Sequence, residues 1–123
     1  MSSQIKITLM SGPRDGETLT FTPDFSDGDF ELSIGRRENC AISLGYDSQV
    51  SRNHARIIYD GSTYWLEDLG SRNGTFIEDN PVHERTPIPV DTLFRVGRTL
   101  LRIDPPASDE TQITRPVMDD SLF

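Results

Sequence analysis

His54-Ala55-Arg56-Ile57-Ile58-Tyr59-Asp60-Gly61-Ser62-Thr63-Tyr64-Trp65-Leu66-Glu67-Asp68-Leu69 decides the fold class. Two runs rich in β-branched and aromatic residues flank Asp60-Gly61-Ser62, and an Asp-Gly turn between such runs is a β-hairpin signal. Working outward, the same punctuated pattern continues in both directions. Ile5, Ile7 and Leu9 alternate with Lys6, Thr8 and Met10, and Thr18, Thr20 and Thr22 interleave with Leu19 and Phe21. Phe30, Leu32 and Ile34 alternate with Glu31 and Ser33. Each is the period of two expected of a half-buried strand.

Shorter runs follow at Ala41 to Leu44, Thr75 to Ile77, Leu93 to Val96 and Thr99 to Ile103. Between them stand turn formers: Ser11-Gly12-Pro13, Asp15-Gly16, Asp27-Gly28, Asn73-Gly74 and Gly97-Arg98. Helical periodicity is nearly absent, so the spacing predicts an all-β chain, either a two-sheet sandwich or a barrel. Trp65 is expected in its core. The 123 residues suit one domain. The strand pattern breaks at Asp104-Pro105-Pro106, which predicts a globular domain over residues 1–104 and a flexible acidic tail over 105–123.

Composition narrows the function classes. A formal net charge of −8 repels a nucleic-acid duplex or an anionic membrane, so neither is an expected partner. No stretch has the length and apolarity of a membrane span, and the first residues do not read as a signal peptide. The single cysteine, Cys40, fits a reducing cytoplasm and is read as a buried hydrophobe. Two histidines and one cysteine without a neighbouring carboxylate cluster make no metal site, and no cofactor is expected.

The cations are eleven arginines and one lysine, and three arginine-bearing segments fall at predicted strand ends. They are Ile34-Gly35-Arg36-Arg37, Val50-Ser51-Arg52-Asn53-His54 and Leu69-Gly70-Ser71-Arg72-Asn73-Gly74-Thr75. Together they offer two or more guanidinium forks, the hydroxyls of Ser51 and Ser71 and the amide of Asn73. That is the donor set a tetrahedral dianion calls for. Arg36, Ser51, Arg52, Ser71, Arg72 and Asn73 are therefore the candidate binding residues, with Gly35 at a strand end permitting a close backbone approach beside Arg36. Asn73-Gly74-Thr75 is formally a glycosylation sequon, but it is read as a tight turn carrying a ligand-binding amide.

In these three segments the sequence resembles the forkhead-associated (FHA) domain family, over roughly residues 4–104. Gly35-Arg36, Ser51-Arg52-Asn53-His54 and Asp68 to Thr75 match the family pattern in identity and separation, and all six signature positions are present. The resemblance implies a β-sandwich of eleven strands that binds phosphothreonine peptides through loops at one end. It implies an adaptor in Ser/Thr kinase signalling whose partners are phosphothreonine proteins, such as a kinase or its substrates. By family role Arg36 and Ser51 contact the phosphate, and Arg52 does so from a variable position. His54 braces the loops, Asn73 bonds the peptide backbone and Gly74 allows the turn. Arg72 departs from the threonine common there; it either adds a phosphate contact or selects an acidic flanking residue, and both readings stay open.

Two rival functions remain. A sandwich scaffold would bind proteins without phospho-dependence, and a small hydrolase would use Ser51 and His54 with Asp47 or Asp68. In the tail, the acidic residues before Thr111 and Thr114 resemble kinase-targeted segments of small FHA regulators. Phosphorylation at either would allow head-to-tail self-association. The seven residues from Asp104 reach only about 23–25 Å, which strains a fold-back onto the same molecule.

Overall fold

The computed structural model describes residues 4–105. The tail expected over 105–123, with Thr111 and Thr114, lies outside the described residues apart from Pro105. Eleven strands follow one another: β1 (Ile5–Leu9), β2 (Thr18–Phe21), β3 (Phe30–Gly35), β4 (Ile42–Ser43), β5 (Ala55–Tyr59), β6 (Tyr64–Asp68), β7 (Thr75–Ile77), β8 (Asn80–Pro81), β9 (Thr86–Pro87), β10 (Leu93–Val96) and β11 (Thr99–Ile103). They form a six-stranded sheet, β2-β1-β11-β10-β7-β8, and a five-stranded sheet, β4-β3-β5-β6-β9. The choice left open by spacing is resolved as a sandwich. Every strand pair is antiparallel except β3 with β4.

Alternation places the core between the sheets. Ile5, Ile7 and Leu9 of β1 and Leu101 and Ile103 of β11 face Leu32, Ile34, Ile57 and Leu66 of the other sheet, with Phe94 and Val96 among them. Burying each such side chain contributes about 1.5–3 kcal/mol. The sandwich therefore holds the molecule together, and its end loops are free to expose polar groups.

Residues 59 and 64 pair directly in the β5–β6 hairpin, as do Ile57 with Leu66 and Ala55 with Asp68. Its turn is closed by the Asp60 carboxylate, which accepts from the amides of Ser62 and Thr63. Period two sends Tyr64 and Leu66 inward and Trp65 outward, beside Ile58. The expectation that Trp65 lies in the core is corrected by this register. Its indole Nε1 donates instead to Asp60 at the rim. Strands β8 and β9 were not foreseen; each is two residues long and contains a proline, so neither shows alternation.

Register fixes which loops meet. Ile34 lies beside Ala55 and Ala55 beside Asp68, while Val96 lies beside both Thr75 and Thr99. The connections leaving Gly35, entering Ala55, leaving Asp68 and joining Val96 to Thr99 thus gather at one end of the sandwich. Asp104, whose amide donates to the Lys6 carbonyl, lies at the other.

Candidate functional site

Gly35 closes β3 where no side chain fits. A Cβ there would stand 2.0 Å from the Arg52 carbonyl oxygen and 2.9 Å from Cys40 Sγ. The strand end thus lies directly on the second loop, and the Arg36 amide donates to the Ser51 carbonyl at 3.1 Å. That bond sets the exposed Arg36 side chain beside Ser51.

His54 joins the loops from within. It is 0% exposed. Nδ1 accepts from the Ser51 amide at 3.0 Å, so the ring proton sits on Nε2, which donates to the Gly74 carbonyl at 2.8 Å. Its own amide donates to Ile34, and its carbonyl accepts from Leu69. One residue therefore ties the first, second and third loops. Neither ring nitrogen serves the Ser51 hydroxyl, so the hydrolase alternative lacks its general base.

The third loop is built around Asp68. Its Oδ1 accepts from the Ser71 hydroxyl and from Thr75 Oγ1 at 2.6 Å, and its Oδ2 from the amides of Gly70 and Ser71, each at 3.0 Å. Ser71 Oγ accepts in turn from the Gly74 amide. Gly74 turns the chain at a φ of 85°, in the region that favours glycine. So shaped, the loop leans on the second one: the Arg72 amide donates to Ser51 Oγ at 3.0 Å, and Asn73 Nδ2 donates to the Gln49 carbonyl at 2.8 Å.

The three loops enclose a cleft of about 330 Å³ lined by Arg36, Ser51, Arg52, Arg72 and Asn73, with Ser48, Gln49 and Val50. Five of the six candidate binding residues meet there. Ser71 does not line it, since its hydroxyl is engaged by Asp68 and Gly74. Gly35, His54 and Gly74 lie behind the cleft as supports. A larger cleft of about 560 Å³ lies at the far end among Tyr59, Tyr64, Pro87, Ile88 and Asp104; no guanidinium lines it, so the anion chemistry belongs to the smaller one.

Ser48 and Gln49 were missed by the sequence reading. Gln49 acts through its carbonyl, which every residue type supplies, so no residue-type signal marked it. Asp47, named in the sequence only as a candidate triad acid, has a structural role instead: its buried carboxylate reaches across to the β10–β11 turn. Its Oδ1 accepts from the Gln49 amide at 2.9 Å, and its Oδ2 from the Arg98 amide at 2.8 Å and Thr99 Oγ1 at 2.7 Å.

Burial works against the charge of Asp47 and of Asp68, yet both carboxyls lie below the usual range. Hydrogen bonds from Thr99, Gln49 and Arg98 outweigh burial at Asp47, and those from Ser71, Thr75 and Gly70 do so at Asp68. The folded-state values are depressed, so their contribution to stability is complete above the unfolded value of about 3.9 and is lost as pH falls through the folded ones. Urea midpoints followed from neutral pH into acid are expected to fall in that window. Asp68→Asn should shallow this acid limb, and a limb as steep as that of the wild type would refute the assignment.

Among the described residues no three His, Cys, Asp or Glu side chains gather to hold a metal ion, and no helix is long and apolar enough to cross a membrane. A family model for the FHA domain matches residues 32–97, more than half of the chain and all three loops. The FHA domain-containing protein FhaB of Mycobacterium tuberculosis is 36% identical over 72 residues, covering 58% of this chain and 46% of the relative. FhaB of Mycolicibacterium smegmatis is 33% identical over 78 residues, covering 63% and 50%. The chain thus spans about half the length of the curated relatives it matches. A solved FHA domain studied for phosphothreonine-dependent interactions superposes with a TM-score of 0.69 at 26% identity, covering 84% of this chain and 97% of that one. The FHA domain of CT664 protein from Chlamydia trachomatis, at 23% identity, shares the fold with a TM-score of 0.71 over 84% of this chain and 98% of its own. Sandwich, loop cleft and matched residues coincide, and the chain belongs to the FHA domain family.

Proposed function

We propose that this chain is a phosphothreonine-dependent peptide-binding adaptor module in Ser/Thr kinase signalling, one that holds its ligand without turning it over. The observation that carries the reading is the cleft itself, where Arg36, Arg52 and Arg72 meet the Ser51 hydroxyl. Ser51 Oγ already accepts from the Arg72 amide, which leaves its own proton to donate to a phosphate oxygen. Asn73 is fixed through Nδ2 on Gln49, which leaves Oδ1 to accept from a peptide N–H. Turnover would need a base or a metal beside the phosphate, and His54 spends both ring nitrogens on backbone groups. Partners of this kind are proteins phosphorylated on threonine, and the single buried cysteine supports a place in the reducing cytoplasm.

Titration calorimetry with one peptide in phosphorylated and unmodified forms tests the reading. Charge-assisted bonds contribute about 1.5–3 kcal/mol each, so losing two weakens binding at least about a hundredfold. Equal affinity for the two forms would instead favour the scaffold without phospho-dependence.

A further inference from the structure

Five arginines of the described residues are engaged by a carboxylate or an aromatic ring. Arg14 pairs with Glu17, Arg56 with Glu31 and Glu67, Arg85 with Glu67, and Arg102 with Asp91 and Asp104. Arg95 lies over the Phe76 ring and donates to the Gly97 carbonyl. Among the described residues, no carboxylate forms an ion pair with Arg36, Arg52 or Arg72, which line the cleft, or with Arg37 or Arg98, which do not line it, so the cleft gathers three of the five arginines left without an ion pair or an aromatic partner. This occurs in a chain whose formal net charge is −8, where carboxylates are abundant.

Three guanidinium groups on one cleft carry three positive charges that stay ionised at any relevant pH. A phosphothreonine supplies only about 1.5 to 2 negative charges at neutral pH. Seating it therefore leaves the cleft with about one positive charge unmatched, in a recess where charges are less screened than in open water. Position within the loops separates the three. Arg36 is set beside Ser51 by its amide bond to the Ser51 carbonyl, and Arg52 follows Ser51 in the chain. Arg72 comes from the other wall and directly precedes Asn73, the residue with an amide oxygen left for the peptide backbone. Its charge therefore stands next to the flanking peptide.

We propose that the phosphopeptide taken by this cleft carries a second anionic group beside the phosphothreonine, a carboxylate or another phosphate, and that Arg72 holds it. The inference rests on the phosphopeptide reading above and adds the class of sequence that the site selects. It makes a singly phosphorylated peptide with neutral flanks a poor ligand for this protein. It also assigns selectivity to the position where the chain departs from the threonine common in its family.

The test is titration calorimetry on the full chain with peptides that differ only beside the phosphothreonine. One set has neutral flanks, a second places aspartate at each flanking position in turn, and a third places a second phosphothreonine there. Wild type is expected to gain about tenfold in affinity from the added anion at one position. In Arg72→Ala the ratio between the anionic and neutral peptides should fall to about one, whatever the affinity itself becomes, with an unchanged thermal melt. The size of the gain for aspartate against phosphothreonine identifies the source of the anion. Equal affinity of wild type for the neutral and anionic peptides would overturn the second anion. A ratio that survives Arg72→Ala would overturn the assignment of Arg72. Failure of every phosphopeptide to bind would overturn the functional reading on which both rest.

Discussion

Arg36→Ala is expected to weaken binding of a phosphothreonine peptide by at least about a hundredfold while the melting temperature stays close to that of the wild type. The guanidinium offers a planar pair of donors, and two charge-assisted bonds of about 1.5–3 kcal/mol each account for the loss. Stability is spared because the residue holds its loop through its main chain. The amide bond to the Ser51 carbonyl needs no side chain, and the side chain itself is exposed. Ser51→Ala should behave differently. It removes a donor to the phosphate and also the acceptor of the Arg72 amide, so it loosens the third loop as well as the anion seat. Calorimetry paired with thermal melting separates the two. Full affinity in Arg36→Ala would show that the phosphate sits elsewhere.

What was legible in the sequence follows from what each residue contributes. Ile5, Ile7 and Leu9, or Ile57 opposite Leu66, declare a strand because burial of alternate side chains is the whole of their role. Asp60-Gly61-Ser62 declares a hairpin because its carboxylate caps the turn that its spacing announces. The anion site was readable for a similar reason. A phosphate demands particular residue types, and Arg36, Ser51, Arg52, Arg72 and Asn73 are rich in the necessary donors and meet at one cleft.

Main-chain roles were not legible. Gln49 holds Asn73 by a carbonyl, and β8 and β9 are two-residue pairings whose prolines argue against a strand. Trp65 misled because bulk and aromaticity suggest a core, whereas strand register turns it outward. Ser71 shows the limit within the site: its hydroxyl is the right type for a phosphate, but Asp68, three residues earlier, accepts its proton and the Gly74 amide donates to its oxygen. Composition names donors, and only packing says which of them are already engaged.

His54→Ala is the complementary experiment, since it should lower stability and affinity together. Removing a fully buried imidazole leaves a cavity, and large-to-small changes of this kind cost about 2–5 kcal/mol. The Ser51 amide and the Gly74 carbonyl lose their partners at the same time, and a buried polar group left unpaired costs about 1–3 kcal/mol. Even the low end of that sum, about 4 kcal/mol, is a large share of the roughly 5–15 kcal/mol that holds a domain of this size. It should lower the melting temperature by about 15–30 °C. Affinity should fall as well, although the ring touches no ligand. The amide it holds belongs to Ser51, and the carbonyl it holds belongs to the residue after Asn73, so both walls of the cleft lose a common anchor. Melting curves and calorimetry run well below the new midpoint keep the two effects apart. Arg36→Ala loses affinity alone, and His54→Ala should lose both. A His54→Ala protein that melts with the wild type would show that the imidazole is not the tie between the loops.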